Sequence, residues 1–270
     1  MAADDICSEI LRSKKYSRIY CPVVRRVCEE EYPKYKKDSE RIKAVKTKLH
    51  TLHGAYADEK IYKKTTSLLD GVKNADDLTR VSAEILHLHA STSERAGMIN
   101  EFYDFIFKHI DGGTILDVGC GYNPFSMPFM PLKPAAYHAF DIDENAAPMI
   151  NRFYNLYGTA RAYSYSCIDI ITETPRQYAD AAFLFKLLPV LENQSPGRGF
   201  ELINELNAKK IIVTYPLKSL GGRAKGMDRH YPEVFESSLS DGFEIIGKKE
   251  FGNELVYVLY NDIKVKNNSK

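Results

Sequence analysis

At 270 residues, 44% hydrophobic and 27% charged, the chain is long enough for one large domain and a smaller one and has the balance of an ordinary water-soluble protein. Its acidic start, Met1-Ala-Ala-Asp-Asp, and the lack of any apolar run near the ~18 residues of a membrane span give the expectation of a cytoplasmic chain, neither secreted nor anchored in a membrane. Five cysteines without a Cys-x-x-Cys suit reduced thiols, and the pairs His50/His53 and His87/His89 lack a third ligand at metal-like spacing, so no metal is expected.

Residues 1–110 read as helices throughout. The net charge of +1 hides a basic segment: residues 11–50 hold 13 Lys or Arg against 5 Asp or Glu. Such a surplus is either a set of solvated helix faces or a polyanion-binding surface, and next to a cofactor domain it favours nucleic acid. Over Asp38 to His53, Ile42, Val45, Leu49 and Leu52 recur at helical spacing and leave Arg41, Lys43, Lys46 and Lys48 mostly on other faces. Leu78, Val81, Ile85 and Leu88 repeat the pattern over Asn74 to His89. Ser91-Thr-Ser-Glu94 then predicts a capping box for a helix running to about Ile110, with Arg95 in its first turn. A cation is poorly placed there for the helix dipole, so Arg95 serves either a partner outside the helix or a surface salt bridge.

From Gly113 onward strands alternate with helices. Strands are predicted at 114–118, 136–141, 163–168, 180–185 and 210–214, and at 243–249 and 254–260 around a turn containing Gly252-Asn253. That order describes an α/β fold with a seven-stranded, mostly parallel, doubly wound sheet and a C-terminal antiparallel hairpin, behind an all-helical N-terminal domain. Such a hairpin marks the S-adenosylmethionine (SAM)-dependent methyltransferase fold. The expected division is a helical unit over 1–110 and a cofactor domain over 111–270.

Thr114 to Pro124 (TILDVGCGYNP) carries the strongest signal, because a strand runs straight into Gly119 and Gly121. Without Cβ atoms the backbone can turn tightly and lie against a ligand. Asp141 ends the next strand, at the ~20-residue distance from which a carboxylate reaches ribose hydroxyls. A dinucleotide fold would want a third glycine where Pro124 stands, which favours an adenosine cofactor without pyrophosphate, SAM being the commonest. Asp169 ends the third strand, either as an adenine acceptor beside Ile170 or as a helix cap. The segment Phe185-Lys-Leu-Leu-Pro189 lacks the Asn-Pro-Pro-Tyr type motif of exocyclic-amine methylation and the Pro-Cys pair of carbon methylation. A nucleophile with its own lone pair remains.

Four ordered segments carry a resemblance: His89-Ala-Ser-Thr-Ser-Glu-Arg95, Leu116-Asp-Val-Gly-Cys-Gly-Tyr-Asn-Pro124, Phe185-Lys-Leu-Leu-Pro-Val-Leu-Glu192 and Ser219-Leu-Gly-Gly-Arg-Ala-Lys-Gly-Met227. With them the chain resembles, from about residue 5 to 260, the aminoglycoside-resistance 16S ribosomal RNA (guanine-N7) methyltransferases. The resemblance implies that His89, Ala90, Ser91 and Arg95 meet the methionine end of SAM, Arg95 pairing its carboxylate. It further implies Gly119 along methionine and ribose, Asp141 on the ribose, Asp169 with Ile170 on adenine, and Phe185, Gln194 and Tyr56 as further cofactor contacts. Lys186, Arg223, Lys225 and Met227 are expected to hold RNA beside Arg41, Lys43, Lys46 and Lys48. The implied partner is 16S rRNA within the 30S subunit, and a monomer is expected. No general base is nominated, since guanine N7 has an in-plane lone pair. The rivals are methylation of adenine N1 in the same region, a non-catalytic SAM- or RNA-binding protein and an NAD-type oxidoreductase.

Overall fold

The computed structural model describes residues 2–54, 59–158, 162–217 and 227–262. Helices α1 (Ala3–Leu11), α2 (Cys21–Glu31) and α3 (Asp38–Leu49) gather Ile6, Ile10, Val23, Val24, Val27, Val45 and Leu49 into a small core of their own. The apolar spacing that predicted a helix from Asp38 holds to Leu49, and His50–Gly54 then widens into a π turn that carries Leu52.

Helices α4 (Glu59–Asp70), α5 (Ala75–Leu88), α6 (Ala90–Ser93) and α7 (Ile99–Phe107) follow. Asn74 caps α5, its side chain accepting from the Asp77 amide at 2.9 Å. The continuous helix expected from Ser91 to about Ile110 is not observed: α6 is one turn capped at His89, a 3₁₀ turn spans Ala96–Met98, and only then does α7 begin. The break has a local cause. The Thr92 hydroxyl donates to the Leu86 carbonyl at 2.6 Å, tying α6 back onto α5, while Arg95 turns into the core.

The sheet has seven strands in the order β3 (Ala162–Cys167), β2 (Ala136–Asp141), β1 (Thr114–Val118), β4 (Ala179–Phe185), β5 (Ala208–Pro216), β7 (Glu254–Asn261), β6 (Phe243–Phe251). The first five are parallel; β7 runs antiparallel between β5 and β6. Every predicted strand is present: β1 and β2 have the expected bounds, and the others differ by at most two residues at either end. Strand β7 lies between β5 and the edge strand β6 and is covered on both faces, which is why Leu255, Val256, Tyr257, Val258 and Leu259 form an unbroken buried run rather than an alternating one. One face packs on α5, α7 and α8 (Ala146–Tyr157), the other on α9 (Leu188–Glu192), α10 (Arg198–Glu205) and α11 (Met227–Ser238). Helical sequence does give way to strands near residue 110, but the cores divide earlier. Residues 69–110 share the core of the sheet, and residues 6–49 have a separate one.

Candidate cofactor site

The chain reversal between β1 and β4 opens a crevice at the carboxyl ends of the strands, where ligands of doubly wound sheets bind. A cavity of about 360 Å³ lies there. Its floor is the glycine turn after β1. Gly119 has φ +67°, and a Cβ would stand 2.7 Å from the Leu187 methyl carbon; Gly121 has φ +48° and packs its open side on the His89 ring. The positive φ disfavours a side chain at both positions, and at Gly119 a Cβ would also require the Leu187 side chain to shift. The chain then enters a seven-residue 3₁₀ helix, Asn123–Phe129, with Pro124 in its first turn.

Asp141, at the end of β2, organises this turn from below. It accepts from the Gly121 amide at 2.8 Å and from the Ile142 amide at 2.7 Å. The Cys120 thiol in the same turn is buried and its pKa is driven well above the usual range, so it supplies no nucleophile.

At the inner end of the cavity Arg95 is fully buried against Glu254, the first residue of β7, with Nη1 donating at 2.8 and 3.1 Å. Its Nη2 donates to Asn123 at 3.0 Å, and its guanidinium lies over Phe185 and Phe102. Burial opposes the charge, but the facing Glu254 carboxylate more than offsets this, and Arg95 titrates above its ordinary value. Its Nε is buried with no hydrogen-bond partner among the described residues. Below this pair, Asp117 accepts from Tyr137 at 2.6 Å and from Asn123 at 3.1 Å.

Lys186 follows β4 at φ +54°, a conformation that strains a residue with a side chain. Its amide is held by the Thr214 carbonyl at 3.1 Å and hydroxyl at 3.0 Å, and its ammonium bonds the Ser91 carbonyl at 2.9 Å and the Glu94 carboxylate at 2.5 Å. The cation expected to reach outward for RNA is thus turned into the cavity rim.

The outer end is built from both cores. Asp169, just past β3, is buried and takes Nε of Arg26 at 2.6 Å and Nη2 at 3.3 Å. The same Arg26, from α2, donates to Gln194 at 3.0 Å and to Glu30 at 2.8 Å. Docking of the small core here is fixed by backbone: the Tyr20 amide donates to Ile142 at 2.8 Å, the Glu144 amide to Arg18 at 2.9 Å, and Ile19 bridges Asp143.

Among the residues expected at the site, His89, Ser91, Arg95, Gly119, Asp141 and Asp169 line the cavity, as do Ile170, Phe185, Lys186 and Gln194. Ala90 is exposed and outside that wall. Tyr56, Arg223 and Lys225 lie outside the described residues, and Met227 is described only as the first residue of α11. Of the four α3 cations expected to face RNA, two are engaged in the fold. Arg41 bonds the Tyr32 and Tyr35 carbonyls and Asp38 and stacks 3.9 Å over the Tyr32 ring, because the turn between α2 and α3 needs a donor. Lys48 pairs with Glu30 and Glu31. Lys43 is exposed and Lys46 half-buried, and neither enters an ion pair among the described residues. Sequence reasoning missed Glu254, whose signal was a lone acid opening an otherwise apolar strand, and Arg26, which nothing in α2 distinguishes from its neighbour Arg25.

The fold and the glycine-floored cavity define the class, a methyltransferase-type α/β domain with a helical extension. The family model described as "Ribosomal RNA methyltransferase (FmrO)" matches residues 12–258, and the chain belongs to that family. A relative from Serratia marcescens named 16S rRNA (guanine(1405)-N(7))-methyltransferase is 35% identical, the match covering 96% of this chain and 98% of the relative. A relative of the same name from Micromonospora rosea is 34% identical over 95% of this chain and 96% of its own length. Among solved structures, the 16S rRNA methylase RmtB superposes with a TM-score of 0.83 at 31% identity, covering 97% of this chain and 99% of that one. RmtF, crystallised with S-adenosyl-L-homocysteine, superposes with a TM-score of 0.85 at 32% identity, covering 96% and 98%.

Proposed function

We propose that this chain is a SAM-dependent 16S rRNA (guanine(1405)-N(7))-methyltransferase, the activity its relatives are named for. It acts in the cytoplasm, as a monomer, on the decoding region of the assembled 30S subunit, and gives resistance to 4,6-disubstituted deoxystreptamine aminoglycosides. One observation carries the cofactor reading. The cavity is lined at one end by the buried Arg95, whose Nε has no hydrogen-bond partner among the described residues, and at the other by Asp169, an acceptor, with a positive-φ glycine turn between them. That polarity matches a ligand with a carboxylate at one end and an exocyclic amine at the other. His89, Ser91, Gly119, Asp141, Ile170, Phe185 and Gln194 hold the parts between.

When bound, SAM supplies a methyl carbon on a sulfonium sulfur. Guanine N7 brings its own lone pair, so no residue has to remove a proton, and none of the cavity's carboxylates is assigned as a base. The work of the protein is to hold the two partners in line and exclude water. A base within folded rRNA has to be turned out and stacked first, which calls for aromatic and basic side chains around the cavity mouth. Lys43, exposed on α3, and the half-buried Lys46 are the described α3 cations outside any ion pair and are the candidates there for RNA phosphate, with Arg223, Lys225 and Met227 as further candidates from the resemblance.

The test is mass spectrometry of small-subunit rRNA digested after expression of this chain, with drug susceptibility alongside. Methylation of N7 removes an acceptor and leaves a positive charge on the guanine, which a polycationic drug meets as repulsion. A methylated guanine, tolerance of gentamicin and continued sensitivity to apramycin are expected. A methylated adenine with apramycin resistance would transfer the assignment to the adenine-N1 activity.

A further inference from the structure

Arg26 belongs to the core of residues 6–49, yet it reaches the outer end of the cofactor cavity, where it meets the buried Asp169 with two nitrogens. An ionised carboxylate has about four acceptor positions. On Asp169, Arg26 Nε fills one on Oδ2 at 2.6 Å, while Arg26 Nη2 at 3.3 Å and the Ile171 amide at 3.2 Å fill those on Oδ1. One acceptor position is left on a carboxylate that lines the cavity. The guanidinium itself has no freedom to turn away. Two of its three other donors are taken by Gln194 and Glu30, and Glu30 is braced by Lys48 of α3.

We infer that Arg26 is a positioning residue for base recognition: it holds both oxygens of Asp169 and leaves one acceptor position open, so that the cavity selects a base carrying an amino group and rejects one carrying a carbonyl there. The inference rests on the reading of Asp169 as the adenine-end residue and adds the group that sets its preference. A fork-shaped guanidinium suits the task because it pins both oxygens of the carboxylate at once, which a lysine ammonium cannot do. The recognition element is completed across two cores, so the helical extension helps build the cofactor site as well as any RNA surface.

The experiment is calorimetric titration of S-adenosylhomocysteine and of its deaminated analogue, S-inosylhomocysteine, into the full chain and into Arg26→Gln, Arg26→Lys and Asp169→Asn variants, each checked for cooperative melting. The unaltered chain is expected to prefer the adenosyl compound by at least about tenfold, since a site built to bond an amino group rejects a carbonyl in its place. Arg26→Gln should lose most of that preference along with about tenfold in affinity for the adenosyl compound. Arg26→Lys should recover affinity and only part of the preference. A folded Arg26→Gln variant with the preference intact, whether or not its affinity falls, overturns the proposal, because packing alone would then explain Arg26. Failure of the unaltered chain to bind either compound, or an Asp169→Asn variant that binds and discriminates normally, instead overturns the adenine-end reading on which the proposal stands.

Discussion

The two ends of the cavity use the same chemistry, an arginine against a carboxylate, in opposite settings. At the inner end Arg95 and Glu254 are each 1% exposed and lie in one core, wedged between the sheet and α7. At the outer end Arg26 is 12% exposed and Asp169 3%, and the two come from different cores. A pair sealed in one core is part of the folding energetics, since removing either charge strands the other where water cannot reach. A pair between cores, with solvent at its edge, leaves a carboxylate that can share itself with a ligand. The inner end is thus a rigid anchor and the outer end a recognition surface.

The largest effect that can break this contrast is at Glu254. Replacement by Ala should cost about 3–5 kcal/mol of stability, the penalty for leaving a buried partner charge uncompensated. Glu254→Gln, which keeps hydrogen bonds to Arg95 and Thr214, should cost less. Urea unfolding measures both, and a loss no larger than that of Arg26→Gln would erase the distinction between the ends.

Between the ends, Asp141 holds the glycine turn through backbone amides. A folded Asp141→Ala variant should bind S-adenosylhomocysteine more weakly by about 1–3 kcal/mol, as expected when polar partners lose their acceptor. Unchanged affinity by calorimetry would mean that the middle of the cavity is misassigned.

Smaller changes should separate the free cations of the helical extension from the engaged ones. Reversing Lys43 and Lys46 to Glu should weaken binding to small ribosomal subunits and flatten its salt dependence by roughly 0.7–0.9 in log–log slope for each phosphate no longer neutralised, with S-adenosylhomocysteine affinity unchanged. Arg41→Glu should instead lower the melting temperature, because its guanidinium ties the turn before α3. A salt-independent affinity of the unaltered chain would remove the RNA surface from α3.

A pH-dependent effect lies beneath the inner end. Burial raises the Asp117 carboxyl from 3.8 to about 6, partly offset by hydrogen bonds from Tyr137 and Asn123. The folded chain therefore takes up this proton at a higher pH than the unfolded chain does. The stability it contributes is present below that window and falls away as pH rises from 3.8 to about 6. Asp117→Asn should abolish this one component of the pH–stability curve, and an unchanged curve would show that Asp117 titrates normally.

The strands and the glycine turn were readable because each depends on local pattern: β-branched and apolar runs, and two glycines at positions of positive φ. The apolar spacing of α5 was readable for the same reason, while its cap at Asn74 is seen only in the structure. The capping box at Ser91 was a local signal that tertiary contacts outvoted, since burial of Arg95 on Glu254 and the Thr92 bond to α5 break the helix there.

By itself the sequence determined the class of sheet, the place of the cofactor turn, the acids at the ends of β2 and β3 and the resemblance that led to the ribosomal RNA methyltransferases. Only the tertiary structure decided which charges meet. Arg95 finds Glu254 across 159 positions of chain and Arg26 finds Asp169 across 143. Sequence spacing carries no record of such pairings. They arise when packing excludes water from both partners, and burial then makes an opposite charge the most favourable neighbour. The same exclusion turned Lys186 and Lys48 inward and left Lys43 outside, a sorting of cations that composition alone does not contain.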